Sequence, residues 1–129
     1  MTSQELVDAA TLLLGKSARP TLGVWSRAVA LLARQSIEQS LNVLWRARAP
    51  GLEACSTHAQ LLCLPFYLRD MDLAQSSSYA WMALTRVCHH HPYELLPNNG
   101  ELTALVDIAR QLAAKTRDVT LETVSRKLV

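Results

Sequence analysis

One stretch of this chain limits its fold more than any other, because apolar residues recur along it at helical spacing over a long distance. From about Leu22 to Arg48 they follow a period near 3.6 residues, and Pro50 and Gly51 end the pattern. A strand would instead alternate apolar and polar residues, so this stretch predicts a helix. The composition agrees, since Gly and Pro contribute only 4 and 5 of the 129 residues and helix formers dominate. The repeat consists of Trp25, Ala28, Val29, Leu32, Ile37, Leu41 and Leu44.

Similar spacing predicts four further helices, over about residues 3–14, 56–68 and 73–90 and from about Asn98 onwards. Half of the residues are hydrophobic, which is enough for one core in a chain of this length. Short connections between helices favour antiparallel neighbours. We therefore predict an all-α fold, a four- to five-helix up-and-down bundle. It forms a single helical domain over residues 1–129, with a core at about 4–112 and a helical tail at 113–129.

Local signals predict where some of these helices begin and end. Thr2 has the spacing of an N-terminal cap, and Thr57 with Gln60 fits a capping box for the third helix. Gly15 predicts a left-handed stop after the first helix. Pro65 predicts a kink or an end in the third, because proline removes a backbone donor. The predicted apolar face of the fourth helix comprises Tyr79, Met82, Ala83 and Val87.

Charge and cysteine usage indicate a cytoplasmic protein without a membrane partner. The formal net charge is +2, which is too small to identify a nucleic-acid-binding protein by bulk charge. Cys55, Cys63 and Cys88 are an odd number of cysteines without a disulfide framework, which favours a reducing compartment. The N-terminus lacks a signal-peptide pattern, and no apolar run reaches the ~18 residues of a spanning helix.

The histidines and cysteines predict no metal site. His89, His90 and His91 are consecutive, and consecutive residues on a helix point about 100° apart. The chain has no pair of cysteines or histidines at a ligand spacing typical of zinc sites. It also has no phosphate-binding loop and no dinucleotide fingerprint, so we predict no cofactor.

Arg86 together with the histidine run is the pattern most suggestive of chemistry. Arginine is permanently cationic and stabilises charge on phosphoryl oxygens. Histidine titrates near neutrality and can move a proton to or from a ribose hydroxyl. Such a pair can cleave RNA without a metal ion. The alternative is a solvated helix end, where cations interact favourably with the helix dipole, typically by about 0.3–1 kcal/mol.

Two stretches of the chain resemble the HEPN family of small helical bundles. Residues 33–44, Ala-Arg-Gln-Ser-Ile-Glu-Gln-Ser-Leu-Asn-Val-Leu, resemble the long second helix of that family. Residues 86–91, Arg-Val-Cys-His-His-His, resemble its Arg-x(4–6)-His motif near the end of a later helix. Chain length and helix number also agree, and the resemblance covers about residues 4–112.

The resemblance implies a metal-independent endoribonuclease that pairs its motifs across a homodimer interface. Many members of the family are toxins or phage-defence effectors that a partner protein holds in check. Carried over here, Arg86 would bind the phosphate and stabilise the transition state, and His91 would be the general acid or base. His90 is a second catalytic candidate and His89 a substrate-binding one, because the triplet leaves the register open.

Two observations keep other interpretations open. Tyr93 can stack on an RNA base, or it can anchor a loop to the bundle. The residue after the motif arginine is often polar in active members, whereas here it is Val87. The alternative function is therefore a non-catalytic helical module that binds a protein partner or a nucleotide, since a fold alone does not define function.

Overall fold

A computed structural model describes residues 1–15, 22–89 and 97–128. These ranges are helical and contain no strand, which confirms the predicted all-α class. A short 3-10 turn, Leu52–Ala54, follows the second helix. The helices within the described ranges are α1 (Ser3–Leu14), α2 (Leu22–Arg48), α3 (Thr57–Leu68), α4 (Met71–Cys88) and α5 (Asn99–Leu128).

Helices α2 and α5 form the centre of the molecule and run parallel to each other. Their C-terminal ends meet where Arg48 Nη1 donates a hydrogen bond to Thr123 Oγ1 at 3.3 Å. Helices α1 and α4 both pack against this central pair, and within the described residues they do not contact each other. Helix α1 runs antiparallel to α5, with Arg110 of α5 bound to Asp8 of α1 at 2.9 Å. Helix α3 packs mainly on α4.

The core is built largely from the long periodic stretch that the sequence singled out. Helix α2 turns one continuous apolar stripe toward its neighbours, and every member of that stripe is fully buried. Burial of a leucine or isoleucine side chain stabilises the fold by about 1.5–3 kcal/mol relative to exposure. The stripe consists of Val29, Ala30, Ala33, Ile37, Leu41, Leu44 and Trp45.

The predicted helix starts and stops are partly confirmed. Thr2 caps α1 as predicted, since its hydroxyl accepts a hydrogen bond from the Glu5 amide at 3.1 Å. Gly15 was expected to be left-handed, but it has φ −69° and ψ −14°, so that prediction is wrong. The cap of α3 is Ser56 rather than Thr57, because the Ser56 hydroxyl accepts the Ala59 amide at 3.2 Å.

The junction of α3 and α4 is made by a left-handed residue rather than by proline. Pro65 lies inside α3, which continues to Leu68, so the proline does not end the helix. The chain turns at Arg69, whose φ is 62°. Asp70 then caps α4 by accepting the amide of Leu73 at 3.0 Å. The fourth helix consequently begins two residues earlier than its apolar pattern indicated.

Helix α5 is one continuous element that includes the predicted tail. Asn98, where the sequence predicted the start of this helix, caps it, with Oδ1 accepting the Glu101 amide at 2.8 Å. The helix extends to Leu128, although Leu121 and Val124 in its last turns are exposed. None of the helices in the described ranges is both long and apolar enough to cross a membrane.

Candidate functional site

The candidate site lies at the C-terminal end of α4, beside the N-terminal end of α5. At the end of α4 the His89 amide is shared between the carbonyls of Thr85 and Arg86, at 3.1 and 3.2 Å, as is common at helix termini. His89 itself leaves helical geometry, with φ −105° and ψ 25°. Arg86 therefore stands in the last turn, where its positive charge interacts favourably with the negative end of the helix dipole.

Arg86 is exposed in a groove between α4 and α5 with a volume of about 550 Å³. Within the part of the chain that the structure describes, its guanidinium makes no hydrogen bond and no ion pair. The groove also contains Glu101, the one carboxylate among its lining residues. The remaining walls are mainly apolar, formed by Tyr79, Ala83, Val87, Pro97, Ala104, Leu105 and Ile108.

Of the predicted site residues, the structure places Arg86 and His89. His89 is exposed and follows Arg86 by three residues, so both belong to the same helix end. The predicted catalytic residues His90 and His91 and the predicted substrate-binding residue Tyr93 lie outside the described residues. Their roles remain predictions from the motif.

Val87 and Cys88, between Arg86 and His89, turn inward. Val87 is buried and Cys88 is half-buried against the core. Burial raises the pKa of the Cys88 thiol, and the nearby charge of Glu38 acts in the same direction, while Arg34 and Arg27 oppose it. A raised thiol pKa leaves little thiolate, which is the nucleophilic form. Cys88 therefore fits a packing residue better than a nucleophile.

Charged residues of α2 approach this end of α4 from the side opposite the groove. Trp81 Nε1 donates a hydrogen bond to Glu38 Oε1 at 3.1 Å, which joins α4 to α2. The same carboxylate oxygen lies 3.6 Å from Arg34 Nε. Arg34 and Glu38 are four residues apart, which is a spacing at which helical side chains meet. The contact of Glu38 with Trp81 has no such local signal, because the two residues are 43 positions apart.

The solvent-facing side of α4 near the groove carries two large exposed hydrophobic residues, Tyr79 and Met82. Of the apolar face predicted for α4, Tyr79 and Met82 are 65% and 45% exposed, whereas Val87 is buried. The helix is instead buried through Leu73, Ala74, Ser77, Ala80, Leu84 and Val87.

Within the described ranges, no three His, Cys, Asp or Glu side chains are grouped closely enough to hold a metal ion. Comparison of the chain with models of protein families, with curated protein sequences and with solved structures finds no match.

Proposed function

We propose that this chain is a metal-independent endoribonuclease of the HEPN type, with Arg86 and His91 as its catalytic residues. The single observation that carries the proposal is the position of Arg86. It is the motif arginine, it is exposed in a groove at the end of its helix, and its guanidinium has no partner within the described residues. A guanidinium in that state is free to bind a phosphate.

The reaction needs only groups that this motif supplies. A histidine of the run takes the proton from the ribose 2′-hydroxyl, whose oxygen attacks the adjacent phosphorus. A bond forms between the 2′-oxygen and phosphorus, and the bond from phosphorus to the 5′-oxygen breaks. The leaving oxygen accepts a proton from an acid, and a 2′,3′-cyclic phosphate remains. Arg86 neutralises the charge that builds on the phosphoryl oxygens, where a positioned donor acts most strongly.

The surface around Arg86 supports a homodimeric form of this enzyme. Tyr79, Met82 and Arg86 follow one another at spacings of three and four residues, so they share one face of α4. The first two are large, apolar and exposed. A second copy that covers this face would bring two arginines and two histidine runs together, with a toxin or defence role as the family implies.

The experiment is cleavage of a mixed RNA pool with EDTA present, comparing wild type with Arg86→Ala and His91→Ala. Loss of a general acid or base lowers rates by about 10²–10⁴-fold, and loss of a donor to the developing charge by about 10²–10³-fold. The matched controls are His58→Ala and Arg126→Ala, which remove an exposed histidine and an exposed arginine elsewhere. Both controls should cleave like wild type.

The result that contradicts the proposal is equally concrete. If folded wild-type protein leaves every RNA in the pool intact, or if cleavage persists in the Arg86→Ala and His91→Ala variants, the ribonuclease assignment is wrong. Products that lack a cyclic phosphate would exclude the attack by the 2′-hydroxyl.

A second candidate function is a non-catalytic interaction module, and the exposed end of α5 favours it. Leu121 and Val124 are 59% and 49% exposed on the last turns of that helix. Replacement of both by Ser should then abolish function in the cell, whereas Arg86→Ala should leave it intact. The opposite outcome favours the ribonuclease.

A further inference from the structure

Arg34 of α2 lies beside the last turns of α4, on the side away from the groove of Arg86. Helices α2 and α4 run antiparallel, and the hydrogen bond between Trp81 and Glu38 fixes their register. Thr85 follows Trp81 by one turn on α4, and Arg34 precedes Glu38 by one turn on α2. Because the helices are antiparallel, this register places Arg34 beside Thr85. The influence of Arg34 on the Cys88 thiol agrees with this placement.

The Arg34 side chain is held in an unusual way. Its Nε atom is buried and has no hydrogen-bond partner among the residues that the structure describes, because Glu38 Oε1 is 3.6 Å away, beyond good hydrogen-bonding distance. Glu38 is itself held by the Trp81 indole. The Arg34 side chain is nevertheless 23% exposed. The buried Nε atom of Arg34 therefore faces the carboxylate of Glu38, which Trp81 holds in place, while part of the Arg34 side chain is open to solvent.

A purely structural ion pair accounts poorly for this arrangement. An arginine that serves only to pair with Glu38 would be expected to satisfy its buried Nε. A second cation, Arg27, lies two turns earlier on α2 and also acts on the Cys88 thiol. Arg34 therefore places a positive charge on the α2 side of the helix end that carries Arg86 and His89, and the charge of Arg27 acts on the same thiol.

We propose that Arg34 is a substrate-binding residue whose guanidinium binds a phosphate of single-stranded RNA, in a position maintained by Glu38 and Trp81. This inference rests on the proposed ribonuclease function, in which Arg86 binds one phosphate of the RNA. Arg34 would bind a second phosphate on the opposite side of the last turns of α4. A guanidinium suits the role, since its planar donors match two phosphate oxygens at once. An RNA strand that crosses the end of α4 would contact both arginines.

The test measures binding of a fluorescent single-stranded RNA by full-length His91→Ala protein, with and without the additional change Arg34→Gln. Loss of the contact should weaken binding about tenfold and reduce the salt dependence by about one phosphate contact. Arg34→Lys keeps the charge without the planar fork and should lie between the two. Arg126→Gln, in the same background, removes an exposed cation at the far end of α5 and should change neither quantity. Circular dichroism establishes that each variant is folded.

A parallel cleavage assay separates this inference from the function on which it rests. If wild type cleaves RNA and Arg34→Gln binds and cleaves equally well, the role of Arg34 is overturned and the ribonuclease stands. If wild type binds RNA through Arg34 but does not cleave it, the phosphate site stands and the ribonuclease fails. If wild type does not bind RNA, both are wrong. Should Arg34→Gln fail to fold, an affinity of folded Arg34→Lys that is weaker than wild type by less than tenfold supports the phosphate contact, and wild-type affinity in that variant overturns it.

Discussion

Replacing Gln60 by Met should destabilise the fold strongly, because this one side chain ties α3 and the 3-10 turn to α2. Gln60 is only 6% exposed. Its Oε1 atom accepts the indole proton of Trp45 at 2.9 Å. Its Nε2 atom donates to the carbonyls of Cys55 and Glu53, at 2.8 and 3.4 Å. Methionine has a similar shape and flexibility, but it forms none of these bonds.

The magnitude follows from what the change leaves unpaired. Trp45 is fully buried, so water cannot replace the lost acceptor, and an unsatisfied buried donor costs about 1–3 kcal/mol. Cys55 and Glu53 are exposed residues, so water can satisfy their carbonyls at a loss of about 0.5–1 kcal/mol in total. The free energy of unfolding should therefore fall by about 1.5–4 kcal/mol. In a domain of this size each 1 kcal/mol lowers Tm by about 3–5 °C, which gives a decrease of about 10 °C.

The assay is urea unfolding followed by circular dichroism. The transition midpoint should fall while its slope stays constant, since the change alters stability and not the exposed surface. Gln75→Met is the matched control, because Gln75 is exposed on α4 and surface substitutions usually stay within about 0.5 kcal/mol. If Gln60→Met is as stable as that control, the hydrogen bonds of Gln60 do not hold these elements together. A double-mutant cycle with Trp45→Phe would then show no coupling.

Two further predictions concern the left-handed junction and the pair of α1 with α5. Arg69→Gly should be about 1 kcal/mol more stable in urea unfolding than Arg69→Ala. Both variants lose the 3.4 Å ion pair with Glu122, but only glycine adopts φ 62° without strain. Equal stabilities of the two variants would contradict this reasoning. Hydrogen bonds from Arg110 and Gln4 hold the pKa of the Asp8 carboxyl below its ordinary value of 3.8. Because the pKa of Asp8 is lower in the folded state, its carboxylate contributes its full stability above pH 3.8. This contribution is lost as the pH falls through the folded-state pKa. The stability difference between wild type and Asp8→Asn should thus be present at neutral pH and shrink under acid, whereas a pH-independent difference would refute the assignment.

The sequence predicted the helices well because their signals are local. The stripe of α2 and the cap at Thr2 both arise from residues within a few positions of each other. Helical periodicity and capping act over such distances, so they can be read without knowing the neighbours. The position of Arg86 near the end of α4 was predictable for the same reason, because the helical pattern extends over about residues 73–90.

Tertiary packing alone decided which faces are covered and which distant side chains meet. Tyr79 and Met82 belong to the predicted apolar face of α4, but the neighbouring helices leave both exposed and bury residues such as Leu84 and Val87 instead. Gln60 fits a capping box by spacing, yet docking of α3 against α2 turns it toward Trp45 instead. Glu38 meets Trp81 across 43 residues of sequence. A repeat in the sequence defines an apolar face, but only the arrangement of all the helices determines what that face contacts.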